Sequence, residues 1–111
     1  MSANPRAIDE ATRRHYAALY ARPHAIHDAF EQFGAFNQDA IDNKAMLAKA
    51  GKLTLPVYYT GAEKSFGSGE AEDLRFVASN VAMGIVPNSG HWIMEENPQA
   101  TIKLVTDFLA K

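Results

Sequence analysis

Cysteine is absent from the 111 residues. That excludes disulfides, thiolate nucleophiles and Cys-ligated zinc, and it fits a reducing compartment. An excess of one charge is also lacking: 11 Lys and Arg stand against 13 Asp and Glu, a net charge of −2 with His neutral. Such a balance offers no basic footprint for nucleic acid or for an acidic membrane surface. No apolar run approaches the roughly 20 residues needed to cross a bilayer. The opening nineteen residues carry charges throughout and lack the apolar stretch of a signal peptide. What is present is 47% hydrophobic and 22% charged residues, the make-up of a globular rather than a disordered chain. A soluble, cytoplasmic domain of modest size is expected, and composition says no more about function.

Periodicity divides the chain in two. Residues 1–50 read as three helices. Asn4-Pro5 offers an N-cap with Pro at the first helical position, and Ile8, Ala11, His15, Ala18 and Leu19 then recur at helical spacing up to Tyr20. Pro23 closes that helix. Ile26, Phe30, Phe33 and Gly34 share a face of a second, reaching about Phe36. A third starts near Gln38-Asp39 and stops at Gly51. Residues 51–111 change character. Leu53–Thr60 is rich in β-branched and aromatic residues and reads as a strand. A glycine-bearing loop, Gly61 to Gly69, leads into a helix over Glu70–Ser79. Val81–Val86 is a second strand, and Asn97-Pro98 caps a last helix with an apolar stripe through Ile102, Val105, Phe108 and Leu109. The expected class is α/β, in the order α-α-α-β-α-β-α, with two parallel strands and a right-handed crossover. Parallel strands are normally covered on both faces within larger sheets. Two are too few.

Chemistry can sit at few places. His91 follows the carboxyl end of the second strand, where open α/β sheets place ligands and catalytic groups. A neutral imidazole there can take a proton near pH 7, or can simply bond backbone within its loop. His24 and His27 have metal-ligand spacing, with His15 nearby, but no third ligand stands at a recognisable distance; ordinary surface histidines account for them, and neither metal nor cofactor is expected. Gly67-Ser68-Gly69 is not a phosphate cradle, since Glu70 and Glu72 would repel the anion. Glu95 and Glu96 stand before a helix start, where they complement its dipole and brace the His91 loop. Tyr58, Tyr59, Phe30, Phe33 and Phe36 read as core. A nucleophile elbow needs Gly-x-Ser-x-Gly or an Asp equivalent, and Ser65, Ser68, Ser79 and Ser89 all fail that frame.

The second half resembles the C-terminal end of an α/β-hydrolase. Leu55-Pro56-Val57, Gly61-Ala-Glu-Lys-Ser-Phe-Gly67, Asn80-Val81, Gly90-His91-Trp92 with Glu95-Glu96-x-Pro98, and Thr106-Asp-Phe108-Leu109 carry the likeness. The Gly-His-Trp and Glu-Glu-x-Pro phrase points to the epoxide hydrolase and haloalkane dehalogenase branch. Upstream, Tyr20-Ala-Arg-Pro23, Phe30-Glu31 and Ala35-Phe36 resemble the last helices of that branch's cap, so 1–50 reads as cap-derived and 51–111 as a β-α-β-α part of the hydrolase domain. The resemblance implies that His91 is the catalytic base, activating the water that hydrolyses an ester between substrate and a nucleophilic Asp. Two positions depart from the pattern. Ser65 stands where many relatives carry the acid that orients the base, and Gln32-Phe33 where relatives with epoxide hydrolase activity carry a cap tyrosine. The implied function is a truncated or split hydrolase, inactive alone, acting on a small-molecule substrate if another segment completes it. The alternative is a non-catalytic remnant or interaction module binding a partner through an exposed sheet edge. Self-association is expected on either reading.

Overall fold

The computed structural model describes residues 2–110. They form two compact units, Asp9–Gly51 and a second made of residues 2–8 with 52–110.

The first unit holds helices α1 (Glu10–Tyr20), α2 (Ala25–Gly34) and α3 (Phe36–Ala50). The expected start of α1 at Asn4-Pro5 is incorrect. Asn4 instead makes a tight turn, its Oδ1 accepting from the Arg6 amide at 3.1 Å. The helix is capped five residues later by Asp9, whose Oδ1 accepts from the Thr12 amide at 2.8 Å. The Thr12 hydrogen bonds hold the Asp9 carboxyl below its ordinary range. Helices α2 and α3 meet at Ala35, so Phe36 opens α3 rather than closing α2, and α3 begins ahead of Gln38. The Gly51 amide donates to the Leu47 carbonyl at 2.9 Å, with Gly51 at φ 75°, a conformation a side chain would resist. No residue of the three helices is fully buried.

The second unit is a parallel pair, β1 (Val57–Ala62) and β2 (Val81–Val86), in register from Val57 opposite Val81 to Ala62 opposite Val86. Helix α4 (Gly69–Val77) joins them; α5 (Ile93–Glu96) and α6 (Pro98–Leu109) follow β2. Strand β2 has the expected bounds. Strand β1 does not: Leu53 makes only a single bridge to Ala78, and the strand runs on through Gly61 and Ala62. Gly61 fits there because its missing side chain leaves room for the Gly67 carbonyl, which a Cβ would strike. The one-turn helix α5 was not legible in the apolar pattern. Helix α6 starts where expected, with Asn97 Oδ1 accepting from the Ala100 amide at 3.3 Å.

Successive strand residues point to opposite faces. Tyr58 stacks on Phe108 of α6, with ring centroids 5.0 Å apart. Tyr59, on the other face, lines a cleft with Glu70, Asp73 and Leu74 of α4. The apolar residues that are fully buried, Ala62, Ala71, Ala78 and Val86, all belong to this unit. Of these, Ala71 is in α4 and Ala78 pairs with Leu53 ahead of both strands, whereas Ala62 and Val86 lie with the buried Gly61, Ser89 and Gly90 at the carboxyl ends of the two strands. That is the edge where His91 emerges.

Candidate active site

The loop after β2 is built from its backbone outward. Asn88 takes the left-handed region at φ 54°, which Asn tolerates better than most residues. Ser89, fully buried, donates its hydroxyl to the Val86 carbonyl at 2.8 Å and so closes the turn. The loop after β1 is fastened to it at three points. The Glu63 amide donates to Val86 O (3.1 Å), the Lys64 amide to Ser89 O (2.9 Å), and the Asn88 amide to Glu63 Oε2 (2.6 Å).

Between these loops lies an open cleft of about 170 Å³, with Tyr59, Ser65, Phe66, Glu70, His91 and Ile93 in its lining. His91 and Ser65 therefore face one space, and the carboxylate in that lining is Glu70 from the first turn of α4. The His91 ring stands edge-on to Trp92, with centroids 4.8 Å apart and planes at 88°. Burial raises the pKa of the Tyr59 hydroxyl, and the Glu70 charge adds to the rise. An imidazole, a hydroxyl, a phenol and a carboxylate thus share the cleft, which suits proton transfer more than phosphate or metal binding.

Behind the cleft, Glu96 gathers four backbone donors. Its Oε2 accepts from the amides of Ala3 (2.7 Å), Asn4 (2.9 Å) and Gly90 (3.0 Å), and its Oε1 from Trp92 (3.2 Å). Burial pushes the Glu96 carboxyl up, but those four donors outweigh it and hold the group below its ordinary range. Asn97 adds a further tie, donating Nδ2 to the Pro87 carbonyl at 2.9 Å.

The remaining candidates stand elsewhere. His24 is the N-cap of α2, at φ 65°, and His27 lies on that helix with Nδ1 3.5 Å from Asp28 and Nε2 3.7 Å from Glu31, all exposed. His15 tilts against Tyr16 in α1. Among the described residues no three His, Asp or Glu side chains are gathered as a metal would need. Gly67-Ser68-Gly69 enters α4, where Glu70 and Glu72 occupy the first turn. Phe30, Phe33 and Phe36 form a run of tilted rings, 6.1 and 5.3 Å apart, but all three are exposed rather than core. Residue patterns missed Tyr59, Glu63 and Glu70. Strand alternation carried a signal for Tyr59; nothing local distinguished Glu63 or Glu70 from solvated acids.

A β-α-β-α unit with a histidine in the loop beyond its last strand is a partial α/β-hydrolase fold, of the epoxide-hydrolase-like kind. The chain is 31% identical over 112 residues to a soluble epoxide hydrolase of Corynebacterium sp. (strain C12), covering 96% of this chain and 36% of that protein. Its structure is similar to crystalline wild-type Cfl2 of Burkholderia cenocepacia, at a TM-score of 0.89 and 29% identity over 96% of this chain and 36% of the other. It is also similar to the epoxide hydrolase CorEH without ligand, at 0.84 and 28% identity over 98% and 38%. The chain thus spans little more than a third of the length of these relatives. No family model matches it. No helix among the described residues is long and apolar enough to cross a membrane.

Proposed function

We propose that these 111 residues carry the base-bearing part of an epoxide-hydrolase-like enzyme, with His91 as its general base and Asp9–Gly51 as the end of its cap. The observation that supports this reading is His91 in one cleft with Ser65, at the carboxyl ends of two parallel strands. In the proposed reaction a carboxylate on another segment attacks an epoxide carbon and forms an ester as that carbon's bond to the ring oxygen breaks, and the freed oxygen takes a proton from solvent. His91 then takes a proton from water, whose oxygen adds to the ester carbonyl. The ester C–O bond breaks, the alcohol oxygen leaves with the imidazolium's proton, and the restored carboxyl group returns a proton to solvent. The substrate class is a small epoxide or a comparable electrophile, and the nucleophile must come from residues other than these.

The test mixes the chain with a segment of an epoxide-hydrolase-like relative that carries the nucleophile but lacks the matching third. Epoxide hydrolysis should appear in the mixture, be absent from each part alone, and vanish with His91→Ala. Turnover by the chain alone, or turnover that survives His91→Ala, overturns the proposal. A second reading, a non-catalytic module that binds a partner through its sheet, is favoured by the exposed Leu53, Leu55, Met83 and Ile85. Tight binding to that segment without any turnover would support it.

A further inference from the structure

The Glu96 cluster carries an inference that goes past the assignment of His91. A carboxylate has about four lone-pair sites. Here four backbone N–H groups reach Glu96, from two places 86 residues or more apart in the chain: Ala3 and Asn4 on one side, Gly90 and Trp92 on the other. The two loop donors are the residues immediately before and after His91. The His91–Trp92 peptide and the Ser89–Gly90 peptide, one residue further back, are therefore tied to one side chain, while the imidazole lines the cleft. Helix α5 supplies the rigid mount: its first turn is closed by Glu95 and Glu96 amides donating to the Trp92 carbonyl at 3.1 and 2.8 Å.

Simple dipole complementation does not account for this. A carboxylate acting on the α6 dipole would bond the first amides of α6, and that place is held by Asn97. Glu96 points away from α6, back toward the loop and the N-terminal residues. Charge-assisted bonds of this kind are roughly twice as strong as neutral ones, and they fix geometry as well as energy.

We infer that Glu96 is the positioning residue of His91, holding the backbone on both sides of it and pinning the N-terminal residues 3 and 4 to the back of the same loop. The inference rests on the reading of His91 as the functional histidine, although its geometry does not. With the carboxylate in place the imidazole keeps one bearing on the cleft. Without it the Gly90–Trp92 segment loses two anchors, and the edge contact between His91 and Trp92 is lost with them.

Proton NMR of the whole 111-residue chain tests this. In Glu96→Gln, the ring-current displacement that Trp92 imposes on the His91 ring protons should be lost, while the amide shifts of Val57–Ala62 and Val81–Val86 stay unchanged. A merely structural role would move the strands together with the ring. If that variant does not fold, the unmutated chain still decides. The amide protons of Ala3, Asn4, Gly90 and Trp92 should shift together on acidification, with a single midpoint. Unchanged His91 ring shifts in a folded Glu96→Gln, or four amides that titrate apart, overturn the inference. Either result concerns the position of His91 alone; failure of the complemented enzyme to turn over an epoxide would instead count against the proposed function.

Discussion

The Lys64 amide donates to the Ser89 carbonyl at 2.9 Å, which fastens the loop after β1 against the loop after β2. One residue beyond Lys64 is Ser65, and two beyond Ser89 is His91. With the two other ties between these loops and the pairing of Ala62 with Val86, this bond lets a serine and a histidine 26 positions apart in sequence open onto the same cleft.

A carboxylate at residue 65 would therefore share the cleft with the imidazole. Ser65→Asp is expected to give His91 a ring N–H bonded to that carboxylate, seen by NMR as a downfield proton in slow exchange with water. The same proton should be in fast exchange in the unmutated chain. Its absence from a folded Ser65→Asp would show that the two loops do not bring these side chains into reach.

Gly61 is the tightest point in that arrangement. A Cβ there meets the carbonyl oxygen and carbon of Gly67, which are backbone and cannot swing aside. Gly61→Ala should lower the stability of the sheet unit by about 1–3 kcal/mol, the usual cost of forcing extra volume into a packed place. Gly34→Ala is the control, since nothing lies within 4 Å of its Cβ and its φ is ordinary. That change should be neutral or stabilising by about 0.4–1 kcal/mol. Urea unfolding of both variants separates packing from backbone entropy; equal losses would remove the argument for a close approach at Gly61.

These positions also show what the residues alone could tell. Strand β2 and helix α6 were legible because their signals are local: an apolar β-branched run, and an Asn-Pro start with a 3.6-residue stripe. Asn4-Pro5 carried the same start signal and misled. Its amide is committed to Glu96, 92 residues away, and no window of sequence contains both partners. Leu53–Leu55 has strand composition, but only Leu53 finds a bridge, whereas Gly61-Ala62 has loop composition and lies in the strand because Val86 is there to pair. Of the site, His91 and Ser65 were visible through family phrases. Tyr59 and Glu70 needed the fold to bring them in.

Stability should follow the Glu96 charge. Its folded-state pKa lies below its unfolded one, so the stabilisation is complete above the unfolded value and is lost as pH falls through the depressed folded value. Urea midpoints should hold from neutral pH down to the ordinary carboxylate range and then drop. Glu96→Gln should start lower and lose less across that acidic window. Parallel curves for the two proteins would mean that the four donors do not stabilise the charged form.

Asn97 links two elements with one side chain, capping α6 through Ala100 and bonding Pro87 at the head of the loop. Asn97→Ala should cost about 1–2 kcal/mol, the upper part of the range for a lost N-cap, because a second bond goes with it. Asn97→Asp keeps the cap but cannot donate to Pro87. It should recover the helix content seen by circular dichroism yet leave the loop amides faster to exchange. Full recovery of both would assign no role to the Pro87 bond.

Neither outer edge of the β1–β2 pair carries another strand among the described residues, so a row of backbone donors and acceptors is open on each side. Tyr59 and its face partners Met83 and Ile85 should be shielded in a sheet covered on both faces, yet Met83 is 37% and Ile85 36% exposed. Among the described residues the buried apolar side chains are three alanines and one valine. Such a core offsets little of the roughly 1–2 kcal/mol per residue that ordering a backbone costs. Further burial against other surface would add to the stability that the Glu96 and Asn97 bonds provide, and a second copy of the chain is the surface always at hand. Sedimentation velocity should therefore show species larger than a monomer, increasing with concentration. Met83→Lys with Ile85→Lys, which charges that face without touching β1, should shift the distribution toward monomer. A sharp monomer that unfolds cooperatively at every concentration would refute this, and it would mean that the described contacts suffice on their own.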